Sequence, residues 1–197
     1  MWAAGSMQIE RPLQLGTPAS KHSVIKSIDA KTGKSGTLLF VTLEHTLSQN
    51  EQVCIREQQH LVYRELPDGP APLPPGEPAP RDAEWSRTIM PDPVLLFRYS
   101  ALTYNGHRIH YDRSYAMNRE FYPALVVHGP LLATLLLELI QQRLPGAVLK
   151  RFSFKAQRPS FDSHAFTVNA RRDGDQLKLW TADHEGFLCV SAEATLA

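Results

Sequence analysis

Two short stretches concentrate the residues able to do acid–base chemistry. Ser100-Ala-Leu-Thr-Tyr-Asn-Gly-His-Arg-Ile-His-Tyr-Asp112 places an amide and two imidazoles around a glycine turn, and Val126-Val-His-Gly-Pro-Leu-Leu-Ala-Thr-Leu-Leu-Leu-Glu-Leu-Ile140 leads into an apolar helix. A neutral imidazole such as His110 is the natural proton acceptor and donor near pH 7. Asn105 lies five residues earlier, and Gly106 lets the chain turn sharply enough for the two side chains to converge on a water. The N–H of Gly129 opens the helix with the helix dipole behind it, which suits a developing oxyanion. Each residue alone has a structural explanation, as a hydrogen-bonded turn histidine or a helix cap. Asn105, His107, Arg108 and His110 together beside a buried helix start are hard to justify by packing alone.

Other chemistries find less support. His22, His45, His60, His164 and His184 are scattered without metal-ligand spacing, and His107, His110 and Asp112 lack a fourth ligand, so no metal site is expected. Neither G-x-S-x-G nor G-x-G-x-x-G occurs. A formal net charge of +1 and no dense Lys/Arg run exclude a nucleic-acid footprint. The longest apolar run, Leu131 to Ile140, is too short to span a bilayer, and no secretory leader is evident at the start. Cys54 and Cys189 read as reduced, buried thiols of a cytoplasmic protein.

The elements that must position these residues follow from periodicity. Met7–Leu15, Ser23–Ala30, Thr37–Leu47 and Gln52–Arg64 read as four β-strands joined by short turns in a meander, the second turn being Lys31–Gly36. No helix to cover that sheet is expected before residue 66. Pro67 to Pro80 holds about half of the 15 prolines and reads as a surface linker. Arg87–Met90 reads as extended, Val94–Tyr99 as a strand, and Ser114–Phe121 as helical or irregular. Pro130 suits a first helical position, and the helix should run to about Arg143 before Leu144-Pro-Gly146 ends it. Apolar almost all round, it needs a sheet wrapped about it. Leu149–Lys155, Ala165–Arg171, Gln176–Asp183 and Phe187–Ala194 are the strands to do so. The element order suggests a repeated α+β unit.

The run Phe97 to Asp112, with Tyr122 to Leu135, resembles the MaoC-like hotdog hydratases. Within them it is most similar to the type-2 hydroxyacyl-thioester dehydratases and the mesaconyl-CoA or itaconyl-CoA hydratase-like proteins. The resemblance extends through Leu38–Thr42 and Leu61–Glu65 back to Met1–Gly5, and so covers essentially the whole chain. It implies a hotdog fold, a long helix at Pro130–Arg143 wrapped by an antiparallel sheet, and reversible hydration of a 2-enoyl-CoA. The broader group has Asp, Asn and Pro where this chain has Asn105, His107 and Arg108, a departure that matches the itaconyl-CoA and mitochondrial-type branch. Gly129 falls on the family's oxyanion-hole glycine.

Catalytic roles are therefore expected for His110, Asn105 and Gly129, and substrate contacts for Tyr104, Arg108 and His128. Arg108 reads equally as a contact for a substrate carboxylate and as an outward-facing turn residue. The CoA thioester is substrate, and no cofactor is expected. The expected architecture is a double hotdog with an incomplete first half: strands in 1–66, a linker in 67–86 and a catalytic unit in 87–197, acting as a homodimer. The chain is expected to begin inside the first unit, so the first sheet takes its cover from a partner subunit or stays apolar and exposed. A carrier-protein dehydratase using the same residues, a hotdog thioesterase using Glu138, and a silent binding or dimerisation module stand as alternatives.

Overall fold

The computed structural model describes residues 1–33, 36–67 and 69–197. Its strands are β1 (Trp2–Ile9), β2 (Ser20–Gly33), β3 (Gly36–Gln49), β4 (Gln52–Arg64), β5 (Trp85–Ile89), β6 (Leu149–Ala156), β7 (Phe166–Asp173), β8 (Gln176–Ala182) and β9 (Leu188–Leu196). Its helices are α1 (Pro93–Thr103), α2 (Arg113–Asn118) and α3 (Gly129–Arg143), with a 3₁₀ turn at Arg108–His110 between α1 and α2. Among these residues the strands form one sheet in the order β2-β3-β4-β1-β6-β9-β8-β7-β5. All its pairings are antiparallel. The helix seated in this sheet makes the hotdog arrangement.

α3 begins with Gly129-Pro130, where proline's missing N–H costs no intrahelical bond. Leu131, Leu132, Ala133, Leu136, Leu139 and Ile140 bury on more than one side of it. They pack against β7, β8, β9, β5 and β1, and Val168, Leu179, Val190 and Ala192, with Phe152 and Phe154 of β6, complete the core. β1 thus serves both halves of the sheet: it pairs with β4 on one side and β6 on the other. Gly5 on β1 is what the close packing requires, because a Cβ there would stand 2.8 Å from Phe154 Cε1.

The structure departs from the sequence expectations at definite places. β1 starts at Trp2, and it lies beside β4 and not β2, so the first four strands are no simple meander. The long β1–β2 connection is instead pinned by one buried side chain. Gln49 donates through Nε2 to the carbonyls of Gln14 and Thr17 and accepts from Gln14 N at 2.8 Å. Within the Lys31–Gly36 turn, residues 34 and 35 lie outside the described residues.

The expected strand Val94–Tyr99 is helical. Asp92 caps α1 by accepting from Val94 N and Leu95 N at 2.8 and 2.9 Å, and Pro93 occupies its first turn. The apolar run was ambiguous between strand and helix, and this start signal decides it.

The proline-rich segment is an ordered strap, although residue 68 lies outside the described residues. Leu188 N donates to Glu77 O, Ala79 N to Gly186 O and Glu84 N to Ala170 O, at 2.8, 2.9 and 2.9 Å. β5 begins at Trp85, within the segment expected as linker, and pairs with β7 at the sheet edge.

The sheet side that continues the α3-packed face across β4, β3 and β2 carries Leu61, Val41 with Ile28, and Leu43 with Ile25. Among the described residues no helix lies within 1–66, and Ile25 and Ile28 are exposed. α3 instead carries the stability of the second half. Leu136→Ala, at a fully buried position, is expected to cost about 2–5 kcal/mol in urea unfolding, against a few tenths for the exposed Leu102→Ala.

Candidate active site

The segment from Tyr122 to His128 forms the floor of the site, and three sets of bonds hold it. Val126 N donates to Ile109 O at 3.0 Å, and Val127 N to Ser160 O at 2.8 Å. Asp162 accepts from Leu125 N at 3.0 Å and from Arg113 Nη2 at 2.5 Å, while Asp162 N returns a bond to Leu125 O. Asp112 caps α2 by accepting from Tyr115 N at 2.9 Å, which fixes the turn carrying His110.

His110 is buried, and its Nδ1 lies 2.7 Å from Val126 O. A carbonyl can only accept, so Nδ1 carries the proton and Nε2 keeps its lone pair. Burial lowers the His110 pKa to about 4; the Val126 bond opposes this and nearby His107 adds to it. The His128 ring stacks on that of His110, with centroids 3.7 Å apart. His128 is completely buried, and its Nε2 lies 2.8 Å from Ser100 Oγ on α1. Burial, with His110 beside it, lowers the His128 pKa to about 3. Both imidazoles are therefore neutral across the physiological range.

Gly129 follows His128 directly and opens α3. The first N–H groups of a helix have no intrahelical acceptor, so this donor lies beside the stacked imidazoles with the positive end of the dipole. β1 closes this corner: a Cβ on Gly129 would stand 3.5 Å from Trp2 O.

The structure thus brings His110, His128 and Gly129 together. Asn105 lies at the same turn, but its Oδ1 accepts the backbone N–H of His107 at 3.0 Å. Tyr104, in the left-handed conformation that ends α1, is 97% exposed. Arg108 is exposed as well, bonding Asp112 through Nη2 at 2.7 Å and lying over the Tyr115 ring. Tyr104 and Arg108 therefore do not converge with His110 in this structure. Glu138, the carboxylate that a thioesterase reading would use, pairs with Arg87 at 2.7 Å. It sits nine residues along α3 from Gly129, about 13 Å at 1.5 Å per residue.

Sequence reasoning missed Ser100, Glu120, Arg64 and Tyr122. Glu120 is buried and bonds His107 Nε2 at 3.0 Å, while Arg64 on β4 reaches Glu120 at 3.9 Å and the Tyr122 hydroxyl at 2.8 Å. The signal available for Ser100 was the Asp92-Pro93 helix start, which puts it one turn beyond Leu96 on the buried face of α1. Among the described residues, no three or more His, Cys, Asp or Glu side chains converge as a metal site would require.

The family model for hydroxyacyl-thioester dehydratase type 2 matches residues 1–162. The chain belongs to that family. Among curated relatives of this type 2 dehydratase family member, a Chloroflexus aurantiacus protein named mesaconyl-C(4)-CoA hydratase is 46% identical over 197 residues, covering 100% of this chain and 70% of that protein. The mitochondrial hydroxyacyl-thioester dehydratase type 2 of Schizosaccharomyces pombe is 30% identical, covering 91% of this chain and 66% of that one. A MaoC-like dehydratase from Phytophthora capsici superposes with a TM-score of 0.76 at 15% identity, covering 100% of this chain and 71% of that one. The 12:0-ACP thioesterase of Umbellularia californica superposes at 0.65 and 7% identity, covering 100% and 74%. These two likenesses show the hotdog fold alone.

The lowered imidazole pKa values have a consequence for stability. The unfolded chain protonates His110 below its ordinary pKa of 6.5, whereas the folded chain resists until about 4. Stability is complete above pH 6.5 and falls as pH drops toward 4. His110 alone should make urea-unfolding free energy about 2 kcal/mol lower at pH 5 than at pH 7.5. His110→Gln should reduce that dependence and leave the part that His128 contributes, and an equal slope in the variant would contradict the assignment.

Proposed function

We propose that this protein catalyses the reversible hydration of a short-chain 2-enoyl-CoA, of the mesaconyl-CoA or itaconyl-CoA kind. The observation that carries the reading is His110. Its tautomer is set by Val126 O, and it lies beside the opening N–H of a buried helix. In the hydration direction, His110 Nε2 takes a proton from water as the water oxygen bonds C3. The C2=C3 π pair moves through the carbonyl carbon onto the thioester oxygen, where Gly129 N–H donates to it. The enolate pair then returns, C2 takes the proton from His110, and the carbonyl re-forms. Dehydration is the same path reversed.

A base with a depressed pKa fits this cycle. It stays unprotonated at working pH, and the enolate forming nearby raises its proton affinity when the transfer happens. The cycle requires no cofactor beyond the CoA of the substrate. The same reading takes the enzyme as a cytoplasmic homodimer. The free, buried Cys54 and Cys189 are in keeping with a reducing compartment, and the exposed Ile25 and Ile28 with a second copy as cover. Among the described residues no helix is long and apolar enough to cross a membrane.

The test is loss of enoyl-thioester absorbance with crotonyl-, mesaconyl- and itaconyl-CoA. At least one should be hydrated without release of free CoA thiol, and His110→Ala should lower kcat by about 10²–10⁴-fold. Hydration of none of the three, or full activity in His110→Ala, would sink the reading. Thiol release would point to a thioesterase.

A further inference from the structure

The cycle above leaves the second hydrogen of the attacking water without a partner. Asn105, the residue that spacing places opposite His110, has its carbonyl oxygen committed to the backbone N–H of His107. That bond shapes the turn and takes up one of the two lone pairs of that oxygen. A different imidazole stands at the same place. The His107 ring meets that of His110 edge-on, at 87° with centroids 5.5 Å apart.

His107 Nε2 lies 3.0 Å from Oε1 of Glu120, whose side chain is only 8% exposed. Such a carboxylate has to be accounted for, because a buried charge without partners is costly. Its partners are His107 on one oxygen and Arg64 on β4 at 3.9 Å from the other. Arg64 in turn donates to the Tyr122 hydroxyl at 2.8 Å. An ionised carboxylate on Nε2 requires the proton there and leaves Nδ1 as an acceptor, the tautomer control that a buried aspartate exerts in hydrolase triads. His107 remains partly open to solvent, its side chain 36% exposed.

Resting on the hydratase reading, we propose that His107, with its tautomer fixed by Glu120, is a second catalytic imidazole that accepts the other hydrogen of the attacking water. One water oxygen at about 2.8 Å from each acceptor nitrogen spans rings at this spacing. Its two hydrogens then point at His110 Nε2 and His107 Nδ1, and a lone pair is free for C3. Only His110 takes a proton; His107 holds the remaining O–H, which leaves as the product hydroxyl, so atoms and charges balance as before. Glu120 and Arg64 are positioning residues in this scheme, and Arg64 is the contribution of the first strand set.

The experiment uses the intact protein on whichever enoyl-CoA the wild type hydrates. His107→Gly should lower kcat at least 30-fold with KM within threefold, and added imidazole should restore at least tenfold of the loss. Restoration of that kind is not produced by a ring that merely braces the turn. Glu120→Gln should lower kcat about 10–100-fold with an unchanged unfolding midpoint, because its amide can present N–H to Nε2 and favour the wrong tautomer. His107→Gly within twofold of wild-type kcat, or lost activity that imidazole leaves untouched while the circular dichroism spectrum stays native, would overturn the role of His107. Either result with an active wild type leaves the hydratase reading standing. A wild type that hydrates no enoyl-CoA overturns both.

Discussion

The backbone of one residue, Val126, holds the site together. Val126 gives its N–H to Ile109 and receives the Nδ1 proton of His110 on its carbonyl, so the same backbone both ties the 3₁₀ turn to the segment before α3 and sets the tautomer of His110. Asp162 and Ser160 hold the residues on either side from the opposite direction. A buried imidazole has no water to fall back on, so a lost Val126 contact would leave an unsatisfied donor as well as a misdirected ring. Burial and tautomer are therefore one constraint, and Leu125, Val126 and Val127 belong to the same buried core as the residues of α3.

The second half of the fold was legible because its signals are local and strong. Pro130 after Gly129, a continuous apolar run and Gly146 define α3, and alternating residues between Arg-Asp-Gly and His-Glu-Gly turns define β7 to β9. α1 was misread as a strand, because six residues with five apolar or aromatic side chains fit either period. Only Asp92-Pro93 tells them apart. The place of β1 between β4 and β6 has no local signal at all, since strand neighbours in a sheet are chosen by long-range packing.

The site divides in the same way. His110 and Gly129 could be proposed from residue type, spacing and resemblance. The exposed position of Tyr104 could not, because a turn's periodicity does not say which way its side chains face, whereas for Arg108 the structure selects the outward-facing of the two readings. Glu120 and Arg64 were invisible for a different reason. They are 56 residues apart, and nothing in either neighbourhood hints that a buried carboxylate and a guanidinium meet beside His107. The same Arg64 makes the first strand set more than a scaffold, since its side chain reaches Tyr122 and Glu120 on the far side of the strap.

The strand order reads as two runs, β2-β3-β4-β1 and β6-β9-β8-β7-β5, placed back to back about the antiparallel β1–β6 pair. In an assembly of identical single units, that seam would be a contact between two chains, and any residue on one side would be copied on the other. Joining both runs in one polypeptide breaks that equivalence. One half can then keep the imidazoles while the other changes independently, and a change on β4 touches one site without echoing in a mirror copy. The covalent strap between the runs is thus what permits division of labour across one continuous sheet.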